Sequence, residues 1–246
     1  MNSDYRPYPP PSGPWVMAQT WSDLLFAHWP VDVHQLRPLV LGSLALDTYA
    51  GRAWVGLVPF QLSHLRPRGL PAFPWISTFP ELNLRTYVKV DEKPGIYFFC
   101  LDAGNPLAVT AARLGYHLPY FRARMTIRHP RDWVLFSSHR THGGAPPAEF
   151  VAQYRPTSAA FQALPGTLEY FLTARYCLYA VDRQARVYRG EIDHRPWPLQ
   201  PAEAKITKQT LAEAHGIGLP DEPPLLHFAQ RMDMVAWLPQ RVEGLS

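Results

Sequence analysis

The sequence predicts a mainly β protein, a closed or partly closed barrel with two or three short helices. The first observation behind this is the stretch Phe79–Asp91, FPELNLRTYVKVD, whose alternation is unusually clean. Leu82, Leu84, Thr86, Val88 and Val90 fall on one side, and Glu81, Asn83, Arg85, Tyr87 and Lys89 on the other, because successive strand side chains point to opposite faces. The second is that similar segments recur along the chain with turn residues between them. Helices between most strands, which a parallel α/β fold needs, are missing. The third is size: 246 residues with 47% hydrophobic content suffice for one large core without staples.

Residues 1–14, MNSDYRPYPPPSGP, are proline-rich without a core pattern and are expected to form a flexible arm. Residues 15–246 are expected to form a single β domain. Trp15–Gln19 reads as a short strand. Ser22-Asp23 reads as the cap of a helix holding Leu24, Leu25, Phe26 and Trp29, with Pro30 as its stop. Asp32–Val40 reads as a helical turn. Leu44–Tyr49 and Arg52–Leu62 flank Ala50-Gly51, a two-residue hairpin turn, and are expected to pair with each other.

Arg66–Phe79 is a proline- and glycine-rich loop that leads into the alternating strand. Asp91–Gly95 is turn chemistry, and Ile96–Leu101 returns as an apolar strand. Asn105 caps the clearest helix, with Pro106 in its first position and Gly115 at its end. Pro119–His129 and Trp133–Arg140 form a hairpin. Phe150–Tyr154 is extended, and Thr167 opens a short helix. Tyr176–Asp182 pairs with Val187–Asp193, and Glu203–Gln209 and Leu225–Pro239 are the last strands.

The net charge is +4, and the only lysines are Lys89, Lys93, Lys205 and Lys208. The arginines of the densest basic stretch, Arg113–Arg131, are broken by apolar residues at strand period, so no nucleic-acid partner is expected. No apolar run is long enough for a membrane span, and no charged leader precedes an apolar segment. Cys100 and Cys177 lie apart in apolar runs and read as buried free thiols. The expectation is a cytoplasmic protein, for which a homo-oligomer stays open.

No P-loop, GxGxxG, GxSxG or HExxH occurs, and no cofactor is expected. His139 and His142 make an HxxH in a loop that offers no third ligand, so no metal is expected. His28 and His117 sit beside aromatics as hydrogen-bonded core residues.

The column Glu81, Asn83, Arg85 and Tyr87 is the sharper candidate, joined by Tyr120 and Arg122 on a second strand. Alternation alone leaves two readings open: a solvated face, or the wall of a polar pocket. In a pocket, Arg85 and Arg122 offer guanidinium forks suited to a carboxylate. Asn83, Tyr87 and Tyr120 add neutral contacts, and Glu81 serves as acid or base.

WSDLLFAHWPV (Trp21–Val31), GRAWVGLVPF (Gly51–Phe60), FPELNLRTYV (Phe79–Val88), GIYFFCLDAGNPLAV (Gly95–Val109) and YHLPYFRARM (Tyr116–Met125) resemble the YqjF-like family of bacterial proteins, domain of unknown function 2071. That family is placed in the acetoacetate-decarboxylase-like superfamily. RYCLYA, YRGEIDHRPWPLQPAEA and LLHFAQRMDMVAW extend the match over nearly everything from Trp15 on. The resemblance implies a cone-like antiparallel barrel with a central cavity, and it puts Glu81 and Arg85 where the superfamily carries polar cavity residues. It also implies a departure. Acetoacetate decarboxylase uses a cavity lysine as a Schiff-base nucleophile, whereas the corresponding segment, Tyr116–Met125, contains none.

The expected partner is therefore a small, anionic or oxo-acid-like molecule. Any chemistry would be lyase- or hydrolase-like, with Glu81 as acid or base and no imine. The alternative is a non-catalytic ligand-binding or sensor protein on the same scaffold.

Overall fold

The computed structural model describes residues 5–73 and 75–244. In chain order its strands begin with β1 (Met17–Val31), β2 (Ala45–Leu46), β3 (Ala53–Pro67), β4 (Phe79–Val90) and β5 (Lys93–Ala103). They continue with β6 (Tyr120–Arg128), β7 (Val134–Arg140), β8 (Glu149–Pro156), β9 (Cys177–Val181) and β10 (Val187–His194). The last are β11 (Gln200–Gln209), β12 (Leu225–Ala236) and β13 (Gln240–Arg241). The helices are α1 (Val33–Leu36), α2 (Pro106–Gly115) and α3 (Leu168–Thr173). No described helix is long and apolar enough to cross a membrane.

All thirteen strands belong to one sheet, which curls until its members meet again through β4–β5 and β10–β12. A closed ring of seven results: β5, β4, β3, β1, β12, β10 and β9, with β9 returning to β5. Every pairing in it is antiparallel except the last, where Ile96 and Tyr97 run parallel to Leu178 and Tyr179. Gly95 permits this approach. A Cβ there would lie 2.6 Å from the Tyr179 ring and 2.8 Å from Cys177 Sγ.

Of the other six strands, β2 and β13 are short edge pieces on β4 and β10, and β6, β7, β8 and β11 bridge from β5 round to β12 on the opposite side of the β1–β3–β4 wall. That wall is therefore buried on both faces. Leu82, Leu84 and Val88 of β4 pack with Phe136, Phe150 and Tyr154 in the main hydrophobic core. The opposite face of β4 turns into the seven-stranded ring. Closure also removes most of the open edges that make isolated sheets prone to aggregate.

Two expectations for the early chain are corrected. The helix expected after Ser22-Asp23 is the second half of β1, which pairs with β12 from Met17 to His28. Asp23 is a bulge residue at φ +52°, and the strand resumes beyond it. Leu25 and Ala27 enter the main core, while Leu24 and Phe26 enter a second cluster on the other face. A strand buried on both faces reads as an unbroken apolar run, which periodicity cannot tell from a helix. In the second correction, the Ala50-Gly51 turn is real, closed by a Tyr49–Arg52 bridge. The strand before it nevertheless pairs with β4, as Ala45 with Lys89 and Leu46 with Val88.

The helices agree closely with expectation. The Asn105 side chain accepts from the backbone N–H groups of Leu107 and Ala108, and Pro106 opens α2. Thr167 caps α3 through the Tyr170 N–H.

Of the segment expected as an arm, residues 1–4 lie outside the described residues. From Tyr5 the chain is seated on β10. Arg6 is buried, donating to Asp193 Oδ1 at 2.8 Å, to the Ile192 carbonyl at 3.0 Å and to Glu191 at 3.3 Å.

Candidate functional site

The seven-stranded ring encloses a cavity of 230 Å³. β4 contributes Glu81, Asn83 and Arg85; β1 and β3 contribute Trp21, Leu24, Val58 and Phe60. β9 and β10 contribute Cys177, Gly190, Glu191, Ile192 and His194. One side is closed by α2, whose Ala108, Ala111 and Ala112 face the cavity. Their spacing at i, i+3 and i+4 is that of one helix face. The lining is mostly apolar, so its few polar groups act in a low-dielectric surround.

The column that alternation singled out is thus an inner wall up to Arg85. Glu81 is 3% exposed, Asn83 5% and Arg85 7%. The strand's end departs from this. Lys89 is half-buried and bound to Glu92 across the β4–β5 turn at 3.1 Å.

Glu81 accepts a hydrogen bond from the Tyr120 hydroxyl, 2.9 Å from Oε2. Tyr120 reaches it because β6 runs parallel beside the end of β5, Leu101 opposite Tyr120. Burial pushes the Glu81 carboxyl up to about 8, and the Tyr120 bond offsets only part of that rise. Glu81 is consequently a neutral acid at neutral pH, able to donate a proton into the cavity.

Arg85 stands without a counter-ion: no carboxylate lies within salt-bridge distance of it among the described residues. Its guanidinium lies 5.2 Å from the centre of the Phe26 ring and 5.8 Å from that of Tyr87. Its hydrogen bond to a protein group is a long one, Nη2 to the Tyr87 hydroxyl at 3.5 Å. Arg85 Nε and Asn83 Oδ1 are buried with no partner.

Tyr87 itself does not line the cavity. Its hydroxyl donates to the Leu172 carbonyl at 3.0 Å and lies 2.7 Å from His28 Nε2. Because the tyrosine proton is committed to Leu172, its oxygen is left to accept from His28 and Arg85. His28 is thereby the Nε2–H tautomer, and burial holds its pKa well below the usual range, so it is neutral. Tyr87 props Arg85 from behind.

Arg122 is corrected. It occupies the last β5–β6 rung, opposite Ala103, where β6 parts from β5, and its side chain is exposed. Its backbone N–H donates to His142 Nδ1 at 3.2 Å. The cavity therefore has one free guanidinium from the expected pair. His139, the other member of the HxxH, pairs with Glu149 at 2.9 Å on the surface. His117, expected as a core residue, is half-buried at φ +54° and packs tilted against Tyr188, with ring centres 4.6 Å apart and planes at 38°.

Sequence reasoning missed the far wall. Trp21, next to the Ser22-Asp23 pair, stacks on Trp197 at 5.8 Å and 9° and meets the edge of Phe60. His194 and Arg175 also line the cavity. His194 is neutral, lowered chiefly by burial, and Arg175 is bound to Asp47 at 2.5 Å.

Comparison with known proteins agrees with this architecture. Residues 18–233 match the model of DUF2071, described as an uncharacterized conserved protein family. The chain is 52% identical over 227 residues to the protein YqjF of Bacillus subtilis (strain 168), covering 92% of this chain and 93% of that one. Among solved structures it is similar to an acetoacetate decarboxylase, with a TM-score of 0.62 at 11% identity, covering 94% of this chain and 90% of that one. An acetoacetate decarboxylase-like enzyme from Sphingomonas wittichii RW1 aligns with a TM-score of 0.61 at 14% identity, covering 97% and 98%. The enduracididine biosynthesis enzyme MppR complexed with pyruvate aligns with a TM-score of 0.63 at 9% identity, covering 99% and 95%. Identities this low speak for a shared fold alone.

Proposed function

The chain belongs to the DUF2071 family, on an acetoacetate-decarboxylase-like β fold, and we propose that its cavity binds a small carboxylate of the oxo-acid type. The observation that carries this reading is Arg85, a buried guanidinium on the cavity wall with no carboxylate partner among the described residues. A buried charge without a partner costs several kcal/mol. An anionic ligand offsets that cost and gains a charge-assisted hydrogen bond of about 1.5–3 kcal/mol.

Glu81 supplies the second half of the reading. Neutral at physiological pH and held by Tyr120, it is placed to protonate or hydrogen-bond an oxygen that gains negative charge. Acid–base chemistry of a lyase or hydrolase type is consistent with that arrangement. Imine chemistry would need an amine in the cavity, and none of Lys89, Lys93, Lys205 and Lys208 lines it. Lys93 is held by Glu191 at 3.2 Å. The fold tolerates such ligands, since MppR has been solved with pyruvate.

The test is a thermal-shift screen of small carboxylates and oxo acids on wild type and Arg85→Met. A ligand at 100 times its Kd adds about 2.7 kcal/mol, roughly 5–10 °C in Tm at this size. The expected result is a shift in wild type that Arg85→Met abolishes. No shift with any acid, or an equal shift in the variant, overturns the anion pocket. Glu81→Gln then separates the two classes of function: an enzyme loses turnover, whereas a binding protein changes only in affinity.

A further inference from the structure

We infer that the ligand this cavity takes is a singly charged carboxylic acid with a bulky apolar body, aryl or branched alkyl, in preference to short, dicarboxylic or phosphorylated acids. The inference rests on the anion-pocket reading and narrows it through three independent features of the wall.

The first is charge. Of the ionisable groups on the wall, Glu191 is engaged by Arg6, Lys93 and Arg189 at 3.2–3.3 Å. Arg175 is engaged by Asp47. Glu81 is kept uncharged by its burial and carries only the Tyr120 hydrogen bond, so Arg85 is the one charged group on the wall with no opposite charge among the described residues. One uncompensated positive charge in an apolar surround matches one negative charge. A second would find no unengaged cation on the wall among the described residues, since Arg175 is held by Asp47.

The second is surface. The aromatic rings of Trp21, Phe60, Phe79, Phe98 and Trp197 all contribute to the lining, together with the alanine face of α2. Such a surface gains from contact with apolar atoms and gains nothing from a second polar head.

The third is volume. The cavity's 230 Å³ corresponds to about eight water molecules at ~30 Å³ each. An acid the size of pyruvate leaves much of that space against apolar wall, whereas a phenylalkanoate fills it. Two neutral groups also lack partners, Asn83 Oδ1 and Trp21 Nε1. An oxo or hydroxyl substituent near the carboxylate gives such groups a ligand atom to meet.

The experiment is calorimetric titration of the intact protein with a graded series: straight-chain acids from acetate to octanoate, then 3-phenylpropanoate, phenylpyruvate, pyruvate, succinate and phosphoglycolate. The expected result is a Kd that tightens about fourfold per added methylene until the cavity is full, with a negative heat-capacity change. Phenylpyruvate should bind at least about a hundredfold more tightly than pyruvate on the same scale, and the dianions should bind weakest. Ala108→Leu, which takes up space at the α2 side, should weaken the longer acids by a larger factor than acetate and pyruvate. Equal or tighter binding of pyruvate, succinate or phosphoglycolate overturns the ligand class and leaves the anion pocket standing. Failure of every acid to bind, or unchanged binding in Arg85→Met, overturns both.

Discussion

The Tyr120 hydroxyl lies 2.9 Å from Glu81 Oε2 and donates to it, joining β6 to β4 across the end of β5. The bond favours the charged carboxylate, so it lowers the Glu81 pKa against the larger effect of burial. Tyr120→Phe removes the donor and leaves the burial. The Glu81 midpoint should then move above its value of about 8. Infrared titration of the protonated carboxyl band, with Glu81→Gln to identify it, measures this directly. A midpoint that stays put or falls would mean that Tyr120 does not set the acid's strength.

Glu81 also makes stability depend on pH in a defined direction. Its pKa in the folded chain is about 8, against an ordinary value of 4.5. Between those values the unfolded chain has released the proton while the native chain keeps it. Stability from this group is therefore complete below pH 4.5 and is lost as pH rises through 8. Glu81→Gln, which stays neutral throughout, should match wild type near pH 5. It should gain on wild type towards pH 8 and above, by at most roughly 5 kcal/mol at 1.36 kcal/mol per unit over the rise from 4.5 to about 8. Urea unfolding of both chains at several pH values tests it, and parallel pH profiles would show that Glu81 is already ionised in the native state.

What the sequence disclosed follows from which faces are chemically unlike. β4 was legible because its two sides differ: Leu82 and Leu84 enter the core, while Glu81, Asn83 and Arg85 face the cavity. α2 was legible because Asn105, Pro106 and Gly115 act locally. β1 was not, because both of its faces are apolar around Leu24–Ala27 and the Asp23 bulge imitates a cap. Arg122 shared a face with Tyr120 in the pattern, yet strand period cannot say where β6 parts from β5. Trp21, Trp197 and His194 meet only through ring closure, a long-range event that no local pattern encodes.

Gly56 faces the ring that supports Arg85. A Cβ there would lie 2.9 Å from His28 Cδ2 and Nε2 and 3.4 Å from Arg85 Cγ. His28 cannot yield without leaving the Tyr87 hydroxyl, its partner at 2.7 Å. Gly56→Ala should therefore destabilise the protein by about 1–3 kcal/mol, as overpacking does, and weaken anion binding by displacing Arg85. Combined with His28→Ala, which vacates the space, the losses should be clearly less than additive. Simple additivity in denaturant unfolding would show that the glycine is not there for the imidazole.

Asp102 and Arg140 form the most enclosed ion pair among the described residues. Arg140 Nε lies 3.0 and 3.2 Å from the two carboxylate oxygens, and Nη2 lies 2.8 Å from Oδ1. Both side chains are almost wholly buried, at 1% and 0% exposure, and the guanidinium lies 4.3 Å from the centre of the Phe121 ring. Neither residue lines the cavity. Asp102→Asn strips the charge from one partner and leaves Arg140 buried without an anion. A loss of about 3–5 kcal/mol is expected. Replacing both together, as Asp102→Leu with Arg140→Met, should recover most of it, because the desolvation cost of the pair disappears with its attraction. Acid binding in the cavity should persist in the double variant. An Asp102→Asn chain within about 1 kcal/mol of wild type would mean that the pair contributes no more than an exposed one.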